Sequence, residues 1–357
     1  MDPQSRSQSS QAGLPRLPVL DGLRLLAALG VVFFHVRPLR ESVAMFERTY
    51  LLVDFFFLLS GFVLTLAIEP RLRGALGTLT FVRQRFVRFW PIAAIGTALG
   101  MLAFASQDAL AEVAIFVPFA LLMIPLPTAP GLSVFPLNIP QWSLFWELVA
   151  NALHALVLHK LDDKRLLVLA AVCACLLAVT SVQHGTADLG STYETWWAGS
   201  LRIGWSYTLG CWIARRYRRG HTATSVPWWL AMGLPVMATC ALPLLPLGQG
   251  LGDTLVIVLI FPPCLWIAAR ARCPTRYHRP LALSGSLSFP LYATHMPVIL
   301  GLRFQDDTLA TGIASVPVAL LVAFAIARLT DRRLRPRRSA PAPASDHPVA
   351  GAGQGTR

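Results

Sequence analysis

The stretch that decides the fold is LDGLRLLAALGVVFFHV, residues 20–36, together with the apolar runs of similar length that follow it. A helix needs about 20 mostly apolar residues to cross a bilayer, and about 17 are tolerated. The stretch contains Asp21, Arg24 and His35, and no small-residue cleavage site follows it. We therefore expect it to remain in the membrane rather than to be removed as a signal peptide.

Nine further runs are long and apolar enough to cross. The ten predicted spans are 20–36, 50–68, 89–105, 143–159, 166–182, 195–213, 227–246, 252–269, 284–302 and 309–327. An additional apolar stretch at 109–126 lies in a proline-rich region, and irregular backbone at membrane depth must be shielded by protein. We interpret it as a re-entrant or interfacial segment. The sequence thus predicts an all-α fold, a polytopic transmembrane helical bundle of about ten spans plus this segment.

The composition supports a membrane protein. Of 357 residues, 55% are apolar and 14% are charged, whereas soluble domains carry about 25% charged residues. The net charge of +13 suggests nucleic acid as a partner, but the arginines form short clusters between the apolar runs. We therefore predict the lipid bilayer as a partner and no nucleic acid. The six cysteines lack metal or disulfide spacing, and we expect no metal site.

The basic clusters predict the orientation, because Lys and Arg are retained on the cytoplasmic side. They occupy 71–73, 83–88, 160–165, 215–219, 270–279 and 332–338. All lie on one side only if 106–141 contains an even number of crossings, which makes both termini cytoplasmic. We predict a cytoplasmic N-terminal tail at 1–19, an integral membrane domain at 20–328 and a disordered basic cytoplasmic tail at 329–357.

Two ionisable residues of the first span share a helix face. Arg24 and His35 are eleven residues apart, just over three turns and about 16 Å along the axis. One groove on that face could hold a long ligand that meets Arg24 near the cytoplasm and His35 near the outer end. The alternative is that Arg24 pairs with Asp21 and that His35 is an interfacial residue beside Arg37.

Two carboxylates are predicted at a depth similar to that of His35. Asp54 lies near the outer end of VDFFFLLSGFVL, residues 53–64, and Glu147 lies about one turn inside the outer face in LNIPQWSLFWELV, residues 137–149. A carboxylate beside an imidazole orients the ring and raises its basicity, as a general base requires. Asp54 could equally be a structural partner of a loop arginine.

Arg85 and Arg88 share one face of FVRQRFVRFWPI, residues 81–92. Their guanidinium groups are suited to phosphates, although a positive-inside anchor without a ligand has the same pattern. His295 lies near the middle of its predicted span, where a hydrogen-bonded packing residue is more common than a catalyst.

In this order, the motifs resemble those of the membrane-bound acyltransferase 3 family, O-acyltransferases that modify cell-surface polysaccharides and some natural products. LDGLRLLAALGVVFFHV matches its Arg, ten residues, His opening, and VDFFFLLSGFVL its second-helix phrase. RFVRFWP, LNIPQWSLFWE and SLSFPLYATHMPV match its arginine pair, its Asn-x-Pro-x-Trp-Ser-Leu signature and its closing motif. The chain departs from the pattern at Phe289 and Asn151, where tyrosine is usual.

The resemblance implies an enzyme that moves an acyl group from cytoplasmic acyl-coenzyme A, with acetyl-coenzyme A as the expected donor. The acceptor is a hydroxyl of a sugar, a polysaccharide precursor or a glycosylated natural product, so the reaction class is O-acetylation. The implied catalytic residues are His35 as general base, with Glu147 and Asp54 orienting it. The implied substrate-binding residues are Arg24, Arg85, Arg88, Trp142, Ser143 and His295. No tightly bound cofactor is implied, and direct transfer and an acyl-histidine both stay open.

The location implied is a bacterial cell membrane. The alternative function is a multispan transporter or flippase without acyl-transfer chemistry, because spans with buried charges also describe a permeation pathway. We find no internal repeat between the two halves of the sequence, which disfavours it. A purely structural membrane subunit is a third alternative. Turnover of a thioester distinguishes an enzyme from both.

Overall fold

A computed structural model of the protein describes residues 17–74, 76–107, 110–220 and 222–330. Their regular structure is helical, apart from an isolated antiparallel bridge between Ser133 and Thr192. The helices are α1 Pro18–His35, α2 Arg37–Ser42, α3 Leu52–Leu72, α4 Thr78–Ala105, α5 Leu110–Val113, α6 Phe116–Leu121, α7 Gln141–Leu156, α8 Asp163–His184, α9 Gly199–Arg218, α10 Trp228–Ala241, α11 Gln249–Leu255, α12 Phe261–Arg270, α13 His278–Arg303 and α14 Leu309–Thr330. A π-helical turn, Val256–Ile260, joins α11 to α12.

Each of the ten predicted spans coincides with helix in the structure. Six helical segments of the described chain are long and apolar enough to cross a membrane: Pro18–His35, Ala44–Leu72, Thr78–Ala105, Asp163–His184, Gln249–Arg270 and Leu309–Thr330. The segment Trp228–Leu244 is apolar but shorter, and α7, with 16 residues, is shorter still. The all-helical class and the multi-pass membrane character are therefore confirmed, while the count of about ten spans stays a prediction.

The element boundaries differ slightly from those predicted. α1 begins at Pro18, two residues before the predicted start of the membrane domain at residue 20, because proline is favoured in the first turn of a helix. α14 continues to Thr330, two residues beyond the predicted domain. The rest of both predicted tails, 1–16 and 331–357, lies outside the described residues.

The segment predicted to be re-entrant or interfacial is broken. In its described part, 110–126, the helices are the short α5 and α6, and Met123, just after α6, has a left-handed φ of 55°. Neither helix approaches the length of a span. The depth of the 109–126 segment in the membrane stays a prediction.

Two helix pairs organise the bundle. α1 lies beside α13, and α3 lies beside α9 in backbone contact. A Cβ added at Gly61 of α3 would lie 2.1 Å from the carbonyl oxygen of Tyr207, and one added at Gly210 of α9 would lie 2.2 Å from that of Leu58. Only glycine fits at these two positions, so the helices approach more closely than larger side chains would allow. α4 packs against α13 and α7 and completes the wall around the site.

The basic loops gather at one end of the bundle. Arg73 at the end of α3 donates to the carbonyl of His159, 3.1 Å away, and Thr78 at the start of α4 donates to Ala155 O at 3.1 Å. At the opposite end, Arg48 and Tyr50 both contact the buried carboxylate of Asp253. These contacts place the loops that follow α3 and α7 at one end and the start of α3 at the other; which end faces the cytoplasm stays a prediction.

Candidate active site

A cavity opens between α1, α3, α4, α7 and α13. It has a volume of about 170 Å³. A neighbouring cavity of about 330 Å³ shares Arg24, Arg88, Gly285 and Phe289 with it. Because they share these walls, the two form one cleft, which we call the arginine cleft. It is the place where the structure brings most of the predicted site residues together.

Three guanidinium groups, those of Arg24, Arg85 and Arg88, line the arginine cleft together with two carboxylates, those of Glu147 and Asp21. The side chain of Arg85 is 15% exposed and lies 4.9 Å from the centre of the Phe89 ring. Its Nε is buried and has no hydrogen-bond partner within the described chain. A buried donor without a partner is costly, and a bound anion would satisfy it.

Glu147 belongs to this cleft rather than to the imidazole of His35. Its Oε1 accepts a hydrogen bond of 2.7 Å from Ser60 and lies 3.8 Å from Nη2 of Arg85. The predicted contact with His35 is not formed among the described residues. Glu147 instead holds Arg85 and Ser60 in place, since its helix α7 faces α3 and α4 at this depth.

His35 lies at the end of α1, where its ring meets that of His295 on α13. Nδ1 of His35 is 3.3 Å from Nε2 of His295, and the ring centroids are 5.0 Å apart. His295 is buried and His35 half-buried. The contact arises because α1 and α13 run side by side, with Gly285 packed against Asp21 at one end and the two histidines at the other.

The backbone carbonyls assign the tautomers of this pair. Nδ1 of His295 lies 3.2 Å from Leu291 O and 2.8 Å from Tyr292 O. A carbonyl only accepts, so this nitrogen carries the proton and Nε2 of the neutral ring has a lone pair. Nδ1 of His35 lies 2.9 Å from Val31 O and is an N–H for the same reason. It is shared between Val31 O and His295, which leaves Nε2 of His35 as the basic nitrogen.

Asp54 does not meet His35 in the structure. Its carboxylate is fully buried and forms an ion pair with Arg202 of α9, with Nη2 2.6 Å from Oδ2 and Nε 3.2 Å from both oxygens. Arg202 also donates to Leu189 O at 2.7 Å. This geometry corrects the expectation that Asp54 orients the imidazole, because among the described residues the side-chain hydrogen bonds of its carboxylate come from Arg202.

Trp142 supports that ion pair. The Arg202 guanidinium lies 5.1 Å from the centre of its ring, and Gly190 and Gly199 pack on the same indole. Trp142 is absent from the described lining of the arginine cleft, so its position gives the predicted substrate contact no support.

Ser143 and Tyr292 bridge α7 and α13 at the wall of the cleft. Ser143 Oγ donates to Pro140 O at 2.9 Å, so it accepts from the Tyr292 hydroxyl, 2.5 Å away. The start of α7 is fixed to α13 by Asn138, which donates to Ala293 O at 2.8 Å. Tyr292 precedes His295 by three residues and therefore shares its helix face. The cleft ends at this hydroxyl pair, with the two histidines beyond it.

Sequence reasoning missed Arg202 and Tyr292. A signal existed for both: Arg202 is an ionisable group inside a predicted span, where a buried partner is expected, and Tyr292 lies one turn before His295. At Asn151, where the family pattern has tyrosine, α9 supplies the phenol, because Tyr207 OH donates to Asn151 Oδ1 at 3.2 Å.

Comparison with known proteins identifies the class. A family model described as an acyltransferase domain, that of the acyltransferase 3 family, matches residues 17–330. The chain therefore belongs to this family and is a membrane acyltransferase. A relative, protein 2 in the picA locus of Rhizobium radiobacter, is 33% identical over 195 residues, which cover 49% of this chain and 99% of the relative. No solved structure matches.

Proposed function

We propose that the protein transfers an acyl group, with acetyl the expected one, from cytoplasmic acyl-coenzyme A to a hydroxyl of a sugar, a polysaccharide precursor or a glycosylated natural product. The observation that carries this proposal is the alignment of the arginine cleft with the histidine pair. The phosphates of the donor need cations at one end of the site. Acyl transfer needs a general base at the other end, about one extended pantetheine arm away.

The charges of the arginine cleft favour acyl-coenzyme A as the donor. In the proposed complex Arg85 and Arg88 bind coenzyme A phosphates, and Arg24 contacts the arm as it runs along α1. Guanidinium groups form bidentate, charge-assisted hydrogen bonds with phosphate oxygens. The cleft is lined by three cations and two carboxylates, so its formal charge is positive, which favours such an anion.

The tautomers of His35 and His295 favour general-base catalysis of acyl transfer. His35 Nε2 takes the proton of the acceptor hydroxyl, whose oxygen attacks the thioester carbonyl; the carbon–sulfur bond then breaks and the thiolate receives the proton. His295 accepts from Nδ1–H of His35 and stabilises the imidazolium that forms. Tyr292, released from Ser143, would donate to the carbonyl oxygen as it becomes negative. The thioester has to pass this hydroxyl pair to reach His35.

The test is release of free coenzyme A by the purified full-length protein. A panel of acyl-coenzyme A donors is incubated with candidate hydroxyl acceptors, and thiol release and acceptor mass are both measured. Acceptor-dependent release with a matching increase in acceptor mass supports the proposal. Transport or flipping of a glycoside without thioester cleavage would favour the transporter alternative.

Exchanging both Arg85 and Arg88 for lysine is expected to weaken acyl-coenzyme A binding by about 10- to 100-fold, because lysine keeps the charge but loses the bidentate geometry. Equilibrium binding of a non-hydrolysable donor analogue measures the effect. Arg83→Lys is the matched control, since Arg83 is exposed on the same helix and does not line the cleft. Unchanged affinity of the double variant would favour a purely topological anchor.

Single cysteines at Ser225 and Gly248, in a background without the native cysteines, are expected to react from opposite sides of the membrane. Both positions are exposed, and they lie in loops at the two ends of α10. The basic end should be cytoplasmic, so an impermeant thiol reagent added outside should label only position 248. Labelling of both cysteines from outside would refute the proposed cytoplasmic termini.

A further inference from the structure

A larger cavity, of about 1030 Å³, lies at the basic end between the ends of α3 and α9 and the start of α8. On α3 it is lined by Glu69 and Arg73, whereas the arginine cleft is lined by Ser60 and Leu64. Ser60 and Glu69 are nine residues apart, which at about 100° per residue puts them on opposite faces of the helix. The cavity is therefore separate from the proposed donor site.

The carboxylates that line this cavity are already paired within the protein. The pairs are Glu69 with Arg73 and Arg215, Asp163 with Arg219, and Asp162 with Arg165. Lys160, Lys164 and Arg218 also line the cavity, and none of them has an ionic partner among the described residues. These two lysines are the only lysines of the chain. The cavity thus presents three uncompensated cations.

The three cations select a phosphate or a similar anion. The start of α8 lies on the cavity wall but adds little positive field, because Asp162 caps it by accepting from the backbone N–H of Arg165 at 2.8 Å and Asp163 lies in its first turn.

The surface beside the cavity is apolar. Leu156 and Val157 at the end of α7 are 50% and 45% exposed, and Val168 and Val172 of α8 are 57% and 51% exposed. α8 is one of the helices long and apolar enough to cross the membrane. A ligand seated in the cavity thus meets cations at its head and apolar helix faces beside it.

We propose that this cavity binds the phosphate headgroup of an anionic phospholipid whose acyl chains lie along the exposed faces of α7 and α8. The charge complementarity identifies the headgroup, since a net negative headgroup offsets part of the excess positive charge of the cavity and a zwitterionic headgroup offsets none of it. The neighbouring apolar side chains identify a lipid rather than a soluble phosphate.

The test is titration of the purified full-length protein in neutral detergent with phosphatidylglycerol and, separately, phosphatidylcholine, with bound lipid counted by native mass spectrometry. The variant carries Lys160→Gln, Lys164→Gln and Arg218→Gln. The matched control carries Arg272→Gln, Arg276→Gln and Arg279→Gln, which removes the same charge from exposed positions between α12 and the first turn of α13. Unchanged helix content shows that both fold.

The wild type and the control are expected to bind phosphatidylglycerol in preference to phosphatidylcholine, and the cavity variant to bind it about 10- to 100-fold more weakly. Equal affinity of all three proteins would overturn the site. Competitors separate the sources of phosphate: displacement of the lipid by glycerol 3-phosphate or coenzyme A at similar concentration would overturn the lipid assignment, and failure to displace it supports that assignment.

Discussion

Replacing His35 with alanine is expected to reduce the turnover of acyl transfer by about 10²- to 10⁴-fold, the usual contribution of a positioned general base. The carbonyl of Val31 and the ring of His295 both engage Nδ1 of His35, so Nε2 is the nitrogen that takes a proton. The arginine cleft does not include His35. Affinity for the donor should therefore be nearly unchanged. Direct measurement of coenzyme A release, beside equilibrium binding of a donor analogue, separates the two quantities.

His295→Ala is the internal comparison. In the proposed mechanism His295 positions and stabilises the ring of His35 and does not take the substrate proton. The decrease in turnover caused by His295→Ala should therefore be smaller than that caused by His35→Ala. His159→Ala is the matched control, because His159 lies at the basic end, away from the histidine pair. There its Nδ1 donates a hydrogen bond to His154 O at 3.0 Å. Near-normal turnover by purified His35→Ala would remove the mechanism even though membership of the family stands. A loss for His295→Ala equal to that for His35→Ala would mean that the base is assigned to the wrong histidine.

Replacing Arg202 with methionine is expected to lower the free energy of unfolding by about 3–5 kcal/mol, because it leaves the buried carboxylate of Asp54 without its partner. Arg202 is 1% exposed and Asp54 is fully buried, so water cannot compensate either charge. Denaturant or thermal unfolding of the detergent-solubilised protein measures the loss. This is the largest stability effect that we expect from a single replacement in the bundle.

The double variant Asp54→Leu with Arg202→Met should recover much of that stability, since an apolar pair of similar volume often matches or exceeds a buried ion pair. Recovery of folding together with acyl transfer would establish a structural role for Asp54. A folded double variant that had lost turnover, with donor binding intact, would return Asp54 to the catalytic group that the sequence motif suggested.

The helices themselves were predictable from the sequence. Backbone N–H and C=O groups in a bilayer must form their hydrogen bonds within the protein. An apolar run long enough to span the bilayer is therefore expected to be helical. The spacing of Arg24 and His35 likewise predicted one shared face, and both residues turn toward α13 in the structure. These predictions use only local geometry, which a single sequence contains.

Partners across helices were not predictable in the same way. Asp54, Glu147 and His35 were expected to meet because their depths are similar, but depth along the membrane normal does not say which helix is the neighbour. α3 faces α9, so Asp54 meets Arg202, and α1 faces α13, so His35 meets a histidine 260 residues away. The sequence motif identified Trp142 but not the direction of its side chain. In the structure its indole packs on Arg202.

The backbone contact between α3 and α9 bears on how the enzyme opens. Gly61 and Gly210 bring the backbones of the two helices into direct contact, and the Asp54–Arg202 ion pair joins the helices near one end. They should consequently travel together as one rigid body. In the proposed mechanism, any motion that admits a pantetheine arm past Ser143 and Tyr292 then has to occur where this block meets α1, α4 and α13. The hinge of the catalytic cycle should lie at that boundary and leave the α3–α9 seam undisturbed.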